Sequence, residues 1–454
     1  MRTFAIYVSL FSSLLFSQQG KYIDYNAVDG PGTVSSIAPQ QNNFFPSRLN
    51  KYKTPSISGG RITDVTKFWA LQNNVDATSV PFISPLDMAE DANGNLYITS
   101  MQLNVIRKVD TNGKITTFAG TGAPAWSGDG DVATKARLSS PHGLAFDASG
   151  NLYVADRSNH VVRKIDTNGI ITTVAGTGGK AGFSGDGGAA TSAQLNSPYD
   201  VVFDAAGNMY ISTLYRIRKV DTSGNISTFA GDGGNQYRGE GGDATSASLG
   251  GPAHMVFDKS GKLYYADYKH HVVNVIDTDG KLYTVYGVGE NSGNSNDDPK
   301  RLSTPFGIAY EHVKIDALNE DEEILYIMHN QVIIQVQLPN GGSTNAQRYT
   351  EAEILWGKEG VAGFDGDGDT NWDETARFNL IETMITNFSA TSTNSKAVYH
   401  IADYQNTRVR KIIEEETFAN NTDVSSMSTV AGATVYNGTN IAANTARLYV
   451  PRNS

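Results

Sequence analysis

The stretch "SPHGLAFDASGNLYVADRSNHVVRKIDTNGIITTVAG", Ser140 to Gly176, holds four short runs rich in Val, Ile, Tyr and Phe. The runs are 143–147, 151–155, 161–165 and 170–175, each too short for a helix and of strand-like composition. "ASGN" (Ala148–Asn151) separates the first two runs, and "DTNG" (Asp166–Gly169) separates the last two. Asp, Asn and Ser next to Gly supply positive φ at low steric cost, so these pairs close tight antiparallel hairpins. The stretch therefore predicts four strands meandering into one small sheet.

That unit recurs. Close copies begin at Ser84, Ser197 and Gly251, and looser ones at Thr304 ("TPFGIAYEHVKI") and Leu380 ("LIETMITNFSA"). The anchoring prolines Pro85, Pro141, Pro198, Pro252 and Pro305 return with a period of roughly 55 residues, a solenoid or propeller spacing. Four-stranded sheets repeated radially form blades that leave only short, protected edges. We expect an all-β fold: a β-propeller of four-stranded blades starting near 85, 141, 198, 252, 305 and 381, within 61–454.

The pattern from Pro141 to Asp166, P-x-G-L-A-x-D…G-N-L-Y-V-A-D…N-x-V-V-R-K-I-D, resembles the NHL repeat. With the added "T-V-A-G-T-G…G-F-S-G-D-G-G-x-A-T-x-A-x-L" (Thr173–Leu195), it is similar to bacterial secreted NHL proteins and to the teneurin NHL domain. The resemblance runs from near Arg61 to Leu448. It implies an NHL-type β-propeller and leaves activity open, because the fold hosts many functions.

Between copies lie Gly- and Asp-rich connections, among them "AGFSGDGGAATSAQLNSP" (Ala181–Pro198) and "AGFDGDGDTNWDETARF" (Ala362–Phe378). The second spaces Asp365, Asp367, Asp369, Asn371 and Asp373 like an EF-hand calcium loop. It lacks the glycine after Asp369 and the closing glutamate, Ala376 standing there. We read these acids as corner formers: Gly permits sharp bends, Asp caps exposed N–H groups, and "ATxAxL" lays an apolar side chain between blades.

The ends bear on ring closure. "GGRITDVTKFW" (Gly59–Trp69) aligns with the fourth strand of a unit, and "NTARLYVPRNS" reaches the next anchor at Pro451. Six full repeats are present. The extra pieces lead us to expect a seven-bladed ring with a truncated last blade, closed by strand exchange. The rival is a six-bladed ring with the early strand stitched onto blade six. Insertions in copies five and six (311–324, 341–351 and 389–396) are expected in loops on one face.

Residues 1–17, with Arg2 and an apolar core from Phe4 to Phe16, read as a signal peptide; a retained N-terminal anchor is the alternative. Residues 18–60, rich in Gly, Pro, Ser, Asn and Gln, read as an irregular leader. No later run is long enough to span a bilayer. The expected location is secreted, periplasmic or cell-surface. A net charge of −11 argues against nucleic-acid binding. The absence of cysteine excludes disulfides and thiolate sites.

In a propeller the first strand of each blade lines the channel, and the two residues after the anchor stand at its mouth. These are Leu86 and Asp87, His142 and Gly143, Tyr199 and Asp200, Ala253 and His254, Phe306 and Gly307, Glu382 and Thr383. His142, Tyr199, Asp200, His254, Phe306 and Glu382 are the candidate binding residues. Asp87, Asp200 and His254 offer the oxygen and imidazole donors of a calcium or zinc ion, and the alternative for them is a polar funnel bonded to loops and water.

NHL-like peptidyl-hydroxyglycine lyases hold zinc with several channel histidines. Here His142 is matched by Leu86, Tyr199, Ala253 and Phe306, short of that set. Related lactonases use Glu, Asn and Asp on the axis, which Asp87, Asp200 and Glu382 imitate without the Asn. No G-x-S-x-G, P-loop or HExxH motif occurs. His270-His271 is expected as a surface pair, and Asp156, Asp267 and Asp403 as structural hydrogen-bonding groups. We expect a binding or scaffold module for a protein or carbohydrate ligand, with a metal-dependent lyase or lactonase as the alternative.

Overall fold

The computed structural model describes residues 70–287, 302, 304–315, 320–338, 352–357, 378, 380–390, 394–417 and 422–432. The expected signal peptide, the leader, the early strand 59–69, the acid-rich 362–377 and the chain beyond 432 lie outside the described residues.

Six antiparallel sheets follow one another along the chain. After a two-residue strand β1 (Val75–Asp76), blade one comprises β2 (Pro85–Glu90), β3 (Leu96–Ser100), β4 (Val105–Val109) and β5 (Lys114–Ala119). Blade two is β6 (Pro141–Phe146), β7 (Leu152–Asp156), β8 (Val161–Ile165) and β9 (Ile171–Ala175). Blade three is β10 (Asp200–Phe203), β11 (Met209–Thr213), β12 (Arg216–Val220) and β13 (Ile226–Ala230). Blade four is β14 (Pro252–Phe257), β15 (Leu263–Asp267), β16 (Val272–Ile276) and β17 (Leu282–Gly287). Blade five is β18 (Gly307–Ile315), β19 (Glu320–His329), β20 (Val332–Leu338) and β21 (Ala352–Gly357). Blade six is β22 (Ile381–Ala390), β23 (Asn394–Asp403), β24 (Arg408–Thr417) and β25 (Thr422–Ala431).

The hairpin turns form as their sequence dictates. Asp147 Oδ1 accepts hydrogen bonds from the backbone N–H groups of Ser149 and Asn151, and Gly150 completes the turn at φ +80°. Asp166 does the same for Asn168 and Ile170, with Gly169 at φ +79°. An aspartate that binds the backbone two and four residues on nucleates the bend, and glycine supplies the left-handed residue.

The first strands stand side by side around the axis, and the strand of blade six returns beside that of blade one. The ring is thus six-bladed, which corrects the seven-bladed expectation. Among the described residues every blade has its own fourth strand, β25 included, and blade one carries β1 as a fifth, outer strand paired with β5. Closure is made by the corner segment instead. Gly432 N–H donates to Ala77 O at 3.1 Å, the bond that Gly120 makes to Ala133, Gly176 to Ala190 and Gly231 to Ala244 at the internal junctions. Ala77, Val80 and Phe82 pack with Met88 and Ile98 of blade one and with Ala402, Val409 and Ala431 of blade six.

Each "AT[SK]" segment is a single 3-10 turn, at 77–79, 133–135, 190–192 and 244–246. Its alanine and the following Leu138, Leu195 or Leu249 are buried between blades. The corner acids latch onto a buried arginine in the third strand of the next blade. Asp129 Oδ1 accepts from Arg163 Nη2 at 2.6 Å, and Asp186 accepts from Arg218. Asp186 Oδ2 also accepts from Thr228 Oγ1 at 2.7 Å. Where they are described, the Asp-rich connections are corners tied by ion pairs; the Asp365–Asp373 series lies outside the described residues.

Two further expectations are corrected. In the insertions at 311–324 and 389–396 the described residues extend strands: β18 pairs with β19 to Ile315↔Glu320, and β22 with β23 to Ala390↔Ser395. The third insertion, 341–351, lies outside the described residues. His270 is fully buried rather than a surface residue, with Nδ1 3.0 Å from Asp267 Oδ2 and Nε2 3.0 Å from the Asn235 carbonyl. It occupies the station of Asn159 and Asn406, which cap Asp156 and Asp403 in the same way. An imidazole bridges the two acceptors that an amide satisfies elsewhere.

Candidate functional site at the channel mouth

The first strands break register at the mouth. The ladder shifts between Pro85 and Met88, Pro141 and Leu144, Pro252 and Met255, and Ile381 and Thr383. Such a break takes two residues, or in blade six Glu382 alone, out of regular pairing and re-aims their side chains. The freed N–H groups bond to the neighbouring blade instead. Gly143 donates to Tyr199 O at 2.8 Å and His254 to Phe306 O at 3.3 Å.

The same bulges orient the axial acids. Asp87 Oδ2 accepts the Leu144 N–H at 2.6 Å, and Asp200 Oδ2 accepts the Met255 N–H at 2.8 Å. Asp200 Oδ1 is held by the Val201 N–H at 2.7 Å. Gly143 makes room: a Cβ there would lie 2.6 Å from Asp200 Cα and would also strike Asp200 Oδ1. Glycine in blade two is what lets the carboxylate of blade three reach the axis.

Asp87, Asp200 and His254 come together, each offering a ligand atom within 4.8 Å of the others. His254 Nδ1 lies 3.8 Å from Asp87 Oδ1. Burial pushes the Asp200 carboxyl up, the His254 charge opposes that, and the Asp87 charge adds to it. Asp87 is likewise pushed up by burial. Glu382, 7% exposed, is pushed up to about 7 by burial against the charge of His254. Two carboxylates and an imidazole are a donor set that suits a divalent ion.

A chain of ring contacts runs through neighbouring residues, Tyr199 directly preceding Asp200. His142 meets Tyr199 edge-on at 5.5 Å between centroids, Tyr199 lies 6.0 Å from Tyr268, and Tyr268 stacks on Phe306 at 5.0 Å. Four consecutive blades, two to five, each contribute one ring. Arg157 Cζ sits 4.7 Å from the Tyr199 centroid, and its Nη2 donates to the Tyr199 hydroxyl at 3.1 Å. Burial, with the charges of Arg157 and His254, holds the His142 imidazole well below its ordinary range, so it is neutral. Its Nε2 is buried and has no hydrogen-bond partner among the described residues.

Of the expected residues, Asp200 and His254 converge with Asp87, His142, Tyr199 and Phe306 join one chain of ring contacts, and Glu382 lies within the field of His254. Arg157 and Tyr268 were not expected. They belong to the turn between second and third strands, which faces the same end of the channel because the strands alternate in direction. The station directly after the "AD" endings, Arg157 and Tyr268, is the signal that would have found them.

Residues 122–184 match the family model described as the teneurin NHL domain. Mouse Teneurin-3 is 32% identical over 216 residues, covering 42% of this chain and 8% of that protein. NHL repeat-containing protein 2 of Gallus gallus is 46% identical over 72 residues, covering 15% of this chain and 10% of that protein. The chain therefore spans a tenth or less of the length of these relatives. Among solved structures, an auxiliary nutrient binding protein from Bacteroides ovatus superposes with a TM-score of 0.50 at 15% identity, covering 79% of this chain and 75% of that one. A counterpart from Bacteroides thetaiotaomicron gives 0.50 at 14%, covering 76% and 72%. At such identity the likeness is one of fold.

Proposed function

On the premise that this chain is an NHL-repeat β-propeller, we propose that it is an extracytoplasmic binding module whose ligand docks at the channel mouth. The observation that carries this is the arc His142–Tyr199–Tyr268–Phe306, a partly open aromatic surface beside buried polar groups. Binding pockets combine apolar and aromatic lining with a few oriented polar groups. The ligand is a carbohydrate or a protein segment small enough to enter the mouth. The nutrient-binding role named for the Bacteroides neighbours is compatible with this assignment. Export rests on Arg2 and the apolar run from Phe4 to Phe16; no helix among the described residues is long and apolar enough to cross a membrane.

The test is a glycan and peptide binding screen on the full chain, repeated with Tyr199→Ala and Tyr268→Ala. Ligands that bind and are lost in both variants support the assignment. Ligands that bind equally well to both variants place the binding surface elsewhere.

One observation favours a second possibility, a metal-dependent lyase or lactonase: the convergence of Asp87, Asp200 and His254. Three protein donors with an open position are what a catalytic metal requires. Those residues would hold a calcium or zinc ion that polarises a substrate oxygen. Stoichiometric metal in the purified protein, lost on His254→Ala or Asp200→Asn, would support it. Metal-free protein that binds neither ion removes it.

A further inference from the structure

Glu382 is more than nine-tenths buried at the mouth, yet its carboxylate makes no hydrogen bond and no ion pair among the described residues. Asp87 and Asp200 stand near it on the axis, at 5% and 3% exposure. Among the described residues, the only ion-pair partner within 4 Å of these three acids is His254, at 3.8 Å from Asp87. Among the described residues Arg157 makes no ion pair to these acids; its guanidinium lies over the Tyr199 ring and its Nη2 donates to the Tyr199 hydroxyl. Lys269 is held by the Tyr215 hydroxyl at 3.1 Å. Burying carboxylates without a matching cation is costly, so such a site either keeps protons or takes up a cation.

A cation taken up there has a described neighbourhood. Tyr199 and Phe306 directly precede or bond to the axial residues: Tyr199 is followed by Asp200, and Phe306 O accepts the His254 N–H. Tyr268 closes the gap between them. Aromatic faces attract organic cations, and a hydrated metal ion gains little from them. The carboxylate oxygens of Asp87 and Asp200 already accept backbone N–H groups, which leaves fewer lone pairs for tight metal coordination. Neutral His142, with an unpartnered ring nitrogen, offers one more acceptor.

We infer that the mouth recognises an ammonium group carried by its ligand, seated against Glu382, Asp87 and Asp200 and walled by Tyr199, Tyr268 and Phe306. The inference rests on the proposed binding role and names the chemistry of the ligand's head. An amino sugar or an amine-bearing side chain would both present it.

The experiment is calorimetric titration of the full chain with n-butylammonium, against n-butanol as the neutral isostere, and with calcium and zinc chloride separately. Saturable binding of butylammonium alone among the two organic probes is expected. Glu382→Gln, which keeps the side-chain shape, should weaken it by about thirtyfold or more. Tyr268→Ala should weaken it on the order of tenfold. Equal binding of butanol, no saturable binding of butylammonium, or an affinity indifferent to Glu382→Gln overturns the inference. Tight calcium or zinc binding that needs Asp87 and Asp200, with no ammonium binding, overturns it in favour of a metal centre. A neutral glycan that binds, is lost in Tyr268→Ala and ignores Glu382→Gln overturns the ammonium head and leaves the binding role standing.

Discussion

Gly143 of blade two and Asp200 of blade three touch across the channel mouth: the glycine N–H bonds to the Tyr199 carbonyl at 2.8 Å, and a Cβ on it would lie 2.6 Å from Asp200 Cα. The close approach is between backbones, so trimming the aspartate does not relieve it. Gly143→Ala should destabilise the protein by about 1–3 kcal/mol or more, as overpacking does. Adding Asp200→Ala should not restore it. Denaturant titration of the single and double variants decides; rescue by the second substitution would mean that the side chain alone fills the space.

The corner acids have a mechanical role that can be weighed. Arg218 is buried and pairs with Asp186, whose other oxygen holds Thr228. Arg218→Ala strands a buried network and should cost about 3–5 kcal/mol. Asp186→Asn, at a half-exposed position, should cost about 1 kcal/mol. Thermal unfolding with and without a chelator checks the assignment. A chelator effect that disappears in Asp186→Asn would restore calcium to the corner.

Ring closure should be as firm as any internal junction. Phe82, 2% exposed, joins blade one to blade six, and Phe82→Ala should cost about 3–5 kcal/mol. The Gly432 amide, bonded to Ala77 O, should exchange with deuterium as slowly as the Gly120 amide bonded to Ala133 O. Much faster exchange at Gly432 would show a ring that opens there.

Glu382 sets a pH dependence of known sign. Its carboxyl is pushed up to about 7 from an ordinary value of 4.5, so between those values the folded state keeps a proton that the unfolded state releases. Its stabilising contribution is therefore full at the acidic end and lost as pH rises through 7. Asp87 and Asp200 shift the same way, while His142, held low, opposes them below its unfolded value. Comparison with Glu382→Gln isolates the one group. From pH about 5 to about 8, the wild type should lose on the order of 3 kcal/mol relative to the variant. A pH-independent difference between the two would show that Glu382 titrates normally.

The blade is a local object, and its parts were legible in the letters. Asp147, Gly150 and Asn151 make a hairpin from their own backbone preferences, and alternating apolar runs of five residues cannot be helices. The anchor stations follow from the period, which is how Asp87, Asp200, His254 and Glu382 could be assigned to one opening. The buried setting of His270 was hidden because its partner, the Asn235 carbonyl, lies 35 residues away on a connecting segment. The strand character of 311–315 and 320–324 was hidden because their pairing extends an existing hairpin with little turn signal in the letters.

By itself the sequence determined the repeating unit, its turns and the stations that line the axis, since these depend on chain stiffness and hydrophobic period over a few residues. Only the tertiary structure decided that six blades close the circle, that Arg157 and Tyr268 join the mouth, and that Glu382 is buried with no partner among the described residues. Those facts depend on the angle between neighbouring sheets and on which side chains meet across the axis. Packing fixes both; a repeat's letters mark the station after its "AD" ending but not what that station meets.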